Sequence, residues 1–335
     1  MALREQRTIS AVFVKSILEK APLSAEEKGR LLQRCDIPGS ALHGGRSRVT
    51  PAQFARLSQV VTDATQDVAM GHYQNRLKPG VVHTMARYTR DADTLLQGVS
   101  RNVEFYNLFD SGFQLSLHQR DNFAFYRMEA EPGFEMTPWV CEHHLMVNHR
   151  FFCWLTGTPI PLLRVNLPYP EPEHVGEYHH LFHCEPRFNQ GNAEIIFERR
   201  MLGLPILRER VELEDYLTRI PYEFLQIPSR DSSYTEQIRR YLKNALPHLP
   251  SYEQVAASLN IAPQTLRRRL ANEGCDYRQI KNELLRDLAI SLLSETEQDV
   301  KGIAYRLGFS EPSAFIRSFK RWTGSTPNNY RQDNQ

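Results

Sequence analysis

The chain has only five cysteines in 335 residues, Cys35, Cys141, Cys153, Cys184 and Cys275, an odd number without a C-x-x-C pair. Such scattered thiols do not make a disulfide framework and predict a reducing compartment. No run approaches the roughly 20 consecutive apolar residues of a membrane-spanning helix. The opening Met1-Ala-Leu-Arg-Glu-Gln-Arg-Thr leads into no apolar stretch of secretory length, so a cytoplasmic protein is expected. A Gly-rich phosphate loop, a nucleophile elbow and an H-E-x-x-H helix are all missing, and no enzyme activity is expected. Nor does charge of one sign dominate: 41 Lys and Arg stand against 39 Asp and Glu. Its distribution is uneven. From Ser232 onward the chain carries 15 basic against 11 acidic residues, and before it 26 against 28. That sign suits a basic, nucleic-acid-binding end on a near-neutral remainder.

What is present is a repeat. Val255-Ala-Ala-Ser-Leu259-Asn-Ile261 is answered by Ile303-Ala-Tyr-Arg-Leu307-Gly-Phe309. Each is followed by a stretch with paired apolar anchors and basic residues, Leu266-Arg-Arg-Arg-Leu270 in one and Phe315-Ile-Arg-Ser-Phe319-Lys-Arg in the other, ending near Gly274 and Gly324. A helix, a tight turn and a second, basic helix is the layout of a helix-turn-helix DNA reader. Ser251 with Gln254 forms a capping-box pattern at the start of the first unit, and Asp299 is the equivalent cap 48 residues later. Two matched units make coincidence a poor explanation.

The remainder alternates in type. Residues 1–75 read as helical, interrupted at Gly39, Gly44 and Gly45 and resumed at Thr50-Pro51. Residues 91–108 and 139–155 read as helices, 114–118 and 123–128 as a hairpin about Asp121-Asn122, and 162–167 and 192–200 as strands. A helix is expected over 211–224 and a polar linker over 228–233. The fold class expected is α+β: a mixed α/β effector domain, 1–228, then an all-α domain, 229–335, of two helix-turn-helix units joined by a long helix.

Anchors Val255, Ala256, Leu259 and Ile261 should pack on Leu266 and Leu270, and Ile303, Ala304, Leu307 and Phe309 on Phe315 and Phe319. The outward faces then carry Gln264, Arg267 and Arg268 in the first unit, and Ser313, Ile316 and Arg317 in the second, with Pro312 at the helix start. Arginine suits bidentate contact to guanine and glutamine to adenine, each worth roughly 1–3 kcal/mol of discrimination. Arg269, Lys320 and Arg321 are assigned to phosphate. The competing possibility, a merely solvated basic face, is weakened by the duplication. Between the units, residues 277–294 read as one helix with Ile280, Leu284, Leu288 and Leu292 inward; at about 1.5 Å per residue they span about 27 Å. Such a strut can hold two reading helices near one DNA turn apart, about 34 Å.

Leu266-x-Arg268-x-Leu270 and the run from Ile303 through Gly308-Phe-Ser-Glu-Pro-Ser313 to Phe319-Lys-Arg-Trp-Thr-Gly324, then Ser325-Thr-Pro327 and Tyr330-Arg331, resemble the AraC/XylS family of bacterial transcription regulators. Asn260, in place of a glycine-like turn, and Ala262, in place of a serine cap, depart from that pattern and predict a weaker fit of the first reading helix. Asn166-Leu-Pro-Tyr-Pro-Glu-Pro-Glu-His174, Glu177-Tyr178, Phe182-His-Cys-Glu-Pro-Arg-Phe188 and Leu202-Gly-Leu-Pro205 are similar to the longer members, of the ornithine-utilisation and virulence-regulator type, whose effector domain is labelled arabinose-binding-like. The resemblance implies a DNA-binding regulator, an activator, controlled by a small molecule. Expected partners are promoter DNA, that effector, RNA polymerase and a second copy of the chain, with no membrane and no cofactor.

Half of the 34 aromatic residues fall within 101–200, so a pocket is expected there, with His118, Arg150, Arg164 and Asn166 as its candidate polar groups. His179-His180-x-x-His183-Cys184, with Cys141, His143, His144 and His149 upstream, is the one stretch that suggests metal. Its spacing matches no defined zinc motif, so no metal is assigned. A metal-responsive regulator or metal-dependent enzyme stays open as the alternative reading, as does a non-specific architectural DNA binder. Leu213, Leu217, Ile220 and Phe224, spaced four, three and four apart, pack on their own domain or form a dimerisation stripe.

Overall fold

The structure, a computed structural model, describes residues 7–42, 46–225 and 233–332. Gly44, Gly45 and residues 228–232 of the expected linker lie outside them. Among the described residues no helix is long and apolar enough to cross a membrane. The residues cluster into two compact units, one of 7–14, 29–42, 46–54 and 233–332, the other of 15–28 and 55–225. This differs from a single cut after residue 228: two N-terminal segments group with the helical C-terminal part.

In the second unit, Phe113–Arg120 and Phe123–Ala130 form the expected hairpin, with Asp121 left-handed (φ +53°) at its turn. Leu162–Asn166 and Ala193–Glu198 join them antiparallel, and Pro186–Arg187 adds a short parallel edge. Strand period places Leu115, Tyr126, Ile195 and Val165 on one buried face. The helix Pro138–Thr156 is buried almost all round, which explains why its apolar residues show little helical periodicity.

In the first unit, Ile9–Ser10 pairs antiparallel with Arg48–Val49. The helices Tyr234–Asn244, Tyr252–Ser258, Pro263–Asn272, Tyr277–Glu295, Val300–Arg306, Pro312–Thr323 and Pro327–Gln332 share one hydrophobic core. Ile280, Leu284, Leu288 and Leu292 of the long helix are inward in that core, as their spacing predicts.

Candidate nucleic-acid interface and sensing unit

The two turns are built alike. Asn260 (φ +54°) and Gly308 (φ +83°) are left-handed, and the N–H of the residue after each reaches back to close the preceding helix, Ile261 to the Ala256 carbonyl at 3.1 Å and Phe309 to the Ala304 carbonyl at 3.0 Å. Asparagine tolerates this conformation better than other side-chain-bearing residues, so the first turn forms without glycine. Ala262 supplies no side-chain cap, but neither does Glu311 at the second reading helix; both helices open on proline, which has no N–H to satisfy. Ser251 forms the full capping box, and the Asp299 carboxylate accepts from the Gly302 N–H at 2.9 Å. The first unit's departures are therefore locally accommodated.

Leu266, Leu270, Phe315 and Phe319 are buried, which turns the opposite faces outward. Gln264, Arg267 and Arg268 are exposed on the first reading helix; Ser313, Arg317, Lys320 and Arg321 are exposed on the second, with Pro312 and Ile316 half-buried. Ser313 Oγ donates to the Glu311 carboxylate at 3.2 Å. Arg269 is engaged inside its unit: its Nη1 donates to Tyr234 Oη at 2.6 Å, with the guanidinium 4.8 Å from the ring centroid. Beside it, the Glu273 carboxylate accepts from the Tyr234 and Thr235 N–H groups, each at 2.9 Å, and from the Thr235 hydroxyl at 2.6 Å. Tyr234 lies 35 residues before Arg269, and no sequence pattern links the pair.

In the second unit, which holds residues 55–225, the structure brings together three of the four candidate effector residues. His118, Phe125, Ile196 and Arg164 lie in one row across the sheet, and Asn166 sits in the next row on the same face. There Glu194 accepts from Asn166 Nδ2 and from Arg127 Nε, both at 2.7 Å. Arg150 is elsewhere, buried on the helix Pro138–Thr156 and donating to the Phe224 carbonyl. Burial lowers its pKa to about 10.

The dimerisation stripe needs correction. Proline breaks the expected helix into Arg210–Thr218 and Tyr222–Leu225. Leu213, Leu217 and Phe224 are buried and Ile220 is half-buried, while Tyr216 between them stacks on Trp154 at 4.2 Å. This stripe is spent inside its own unit and is not a surface for a second copy.

The histidines are largely engaged in the core as well. His144 bonds Tyr73 Oη through Nδ1 and Tyr126 Oη through Nε2, both at 3.0 Å; His149 bonds the Ile160 carbonyl at 2.8 Å; His143 stacks on Trp139 at 4.5 Å. His179 packs its ring against His180 and His183, with centroids 5.7 and 6.1 Å away. Among the described residues, no group of three or more His, Cys, Asp or Glu is placed to hold a metal ion.

Burial keeps His72, His144 and His149 neutral, with pKa values lowered to about 4, about 3 and about 4. The unfolded chain takes up these protons below about pH 6.5 and the folded one does not, so stability falls as pH drops from there toward pH 4. Each group contributes about 1.4 kcal/mol per pH unit in that window. Tryptophan fluorescence and near-UV circular dichroism should show acid unfolding of this unit between about pH 6 and pH 4; an unchanged signal down to pH 4 would contradict the burial of these rings.

A sequence profile described as the arabinose-binding domain of AraC transcription regulators matches residues 27–206, and a helix-turn-helix domain profile matches 255–333. The Ornithine utilization regulator of Pseudomonas aeruginosa is 26% identical over 326 residues, covering 97% of this chain and 96% of that protein. The transcriptional regulator VirS of Mycobacterium tuberculosis is 27% identical over 308 residues, 90% of this chain and 89% of that protein. VqsM of Pseudomonas aeruginosa is 38% identical over 96 residues, 29% of this chain and 30% of that protein. The relatives are named as regulators and not as enzymes, and the first profile alone spans more than half of the sequence. The duplicated turn and its outward basic helices thus have their explanation: the chain belongs to the AraC family of helix-turn-helix transcription regulators.

Proposed function

We propose that the chain is a cytoplasmic, effector-controlled activator that grips two consecutive major grooves. The observation that carries the reading is the pair of reading helices, each with apolar anchors inward and basic or polar side chains outward on the opposite face. Gln264, Arg267 and Arg268, and Pro312, Ser313 and Arg317, face base edges; Lys320 and Arg321 meet phosphate. Arg269, held by Tyr234, positions the first reading helix. A small molecule bound by the arabinose-binding-like region shifts the reader by preferring one of two arrangements, because equal affinity for both would shift nothing. RNA polymerase and a second copy of the chain are the further partners of this reading, the second copy by a surface other than the buried 213–224 stripe.

Arg268→Ala and Arg317→Ala should each weaken specific binding by about tenfold to a hundredfold and relax base preference at one position. Lys320→Ala should weaken binding to all sequences alike and reduce the salt slope by about one. Gel-shift titrations at several salt concentrations separate the two classes. Wild-type affinity in both arginine variants would remove the assignment of the faces.

A further inference from the structure

The helix Pro138–Thr156 contains a single acidic residue, Glu142, and it is buried at 5% exposure. Both of its hydrogen bonds fall on one oxygen: Tyr178 Oη donates to Oε1, and His174 Nε2 meets Oε1 at 2.7 Å. Oε2 has no hydrogen bond among the described residues. Tyr169 Oη lies 2.8 Å from Tyr178 Oη, and Phe188 packs edge-on to Tyr178 at 5.3 Å, closing an aromatic wall around the carboxylate. The His174 ring is stacked on Tyr178 at 5.6 Å, and its side chain is 11% exposed. A buried carboxylate lined by a tyrosine hydroxyl and an imidazole is a poor host for anions and a good one for cations, through charge-assisted hydrogen bonds. Independently, residues 165–186, which supply Tyr169, His174 and Tyr178, contain four glutamates and no Lys or Arg. Apart from its histidines, that stretch carries no basic side chain, and its four glutamates favour positive charge.

We propose that the Glu142 carboxylate, walled by Tyr169, Tyr178 and Phe188, is the binding site of a small organic cation bearing a primary ammonium group, which takes the place of the His174 imidazole. The inference rests on the reading of this unit as an effector binder and names the effector's chemistry. An ammonium supplies a full charge and three donors where the imidazole supplies one, so Oε2 as well as Oε1 is satisfied. Displacing His174 from the Glu142 carboxylate gives ligand binding a local structural consequence at residues 173–177.

The test is calorimetric titration of the full-length protein near neutral pH with 1,4-diaminobutane and with L-lysine, using arabinose and succinate as neutral and anionic controls. The expected result is saturable binding of at least one amine, weakened at least about tenfold in Glu142→Gln and tightened in His174→Ala. Binding of the diamine alone would assign the site to polyamines, and of lysine alone to amino acids. If Glu142→Gln does not fold, His174→Ala decides, because a purely structural histidine gives no tightening. Amine binding unchanged in Glu142→Gln would overturn this site. Heat from arabinose or succinate alone would overturn the cation chemistry while leaving a small-molecule effector in place. Silence from both amines overturns the proposal whatever the controls do.

Discussion

Asp287→Ala should destabilise the DNA-reading unit by about 3–5 kcal/mol, the usual cost of breaking a buried ion pair from one side. Asp287 is 2% exposed on the long helix between the two readers. Its Oδ2 accepts from Arg239 Nη2 at 2.7 Å, and its Oδ1 accepts from Thr8 Oγ1 at 2.5 Å and from Arg286 Nη2 at 3.2 Å. Arg48 extends the network by donating to Thr8 Oγ1 at 2.8 Å and to the Thr8 carbonyl at 2.7 Å, and Tyr330 Oη donates to the Arg48 carbonyl at 2.7 Å. Removing the carboxylate takes away the buried Arg239 ion pair, both side chains of which are 2% exposed, and the Thr8 bond that ties the segment before the N-terminal strand pair to this helix. Against a typical total of about 5–15 kcal/mol, that loss is a large fraction of the unit's stability. Urea denaturation should show a lower midpoint, and Asp287→Leu combined with Arg239→Met should recover part of it, because the buried Arg239 charge is removed along with its partner while Arg48 keeps its charge. A midpoint unchanged by Asp287→Ala would contradict the network.

The same carboxylate sets an order of acid unfolding. Burial pushes its pKa up, but Arg286, Arg239 and Arg48 together outweigh burial and hold it well below the usual carboxylate range. A depressed carboxylate contributes stability that is present above its unfolded value, near pH 4, and is lost below it. This network in the helical unit therefore persists at acidities where the buried histidines of the other unit have already taken effect.

Gly308→Ala should abolish two-groove binding through a different cause. A Cβ at this position would lie 2.3 Å from the Pro247 carbonyl oxygen and 3.3 Å from its carbon, both backbone atoms that no rotamer change can move. The left-handed backbone (φ +83°) adds about 1 kcal/mol for any side chain. The second turn must shift away from the segment that leads into the first unit, so the two readers lose their mutual register. Gly324→Ala is the matched control: it has nearly the same φ, +82°, but nothing within 4 Å of the added carbon, so it should cost only about 1 kcal/mol. Binding to single-site and two-site DNA duplexes reads the difference. Equal behaviour of the two variants would mean that the close approach at Pro247 is not what matters.

The DNA-reading helices were legible because their information is local. Leu266 and Leu270, like Phe315 and Phe319, are one helical turn apart, and Asn260 and Gly308 mark the turns before them. The sheet was legible for the same reason, since alternation over 114–118 and 123–128 repeats every two residues. Long-range pairings carried no such signal. Thr8 and Asp287 are 279 positions apart, and neither segment's periodicity names the other. Yet two signs were available: Asp287 falls within the apolar stripe of its helix, and Glu142 is the single acid in a nearly all-buried one. The 213–224 stripe misled because Pro221 divides the helix and because a stripe does not reveal which core receives it. Arg150 was grouped with His118, Arg164 and Asn166 by polarity alone, which does not distinguish a sheet face from the interior of a helix.

The most direct measurement is selection of genomic DNA fragments by the purified full-length protein at physiological salt, with and without added amines. The predicted result is enrichment of fragments that share two short sequence boxes about one helical turn apart, centre to centre. Equal retention of all fragments in every condition would contradict a double, sequence-specific reader.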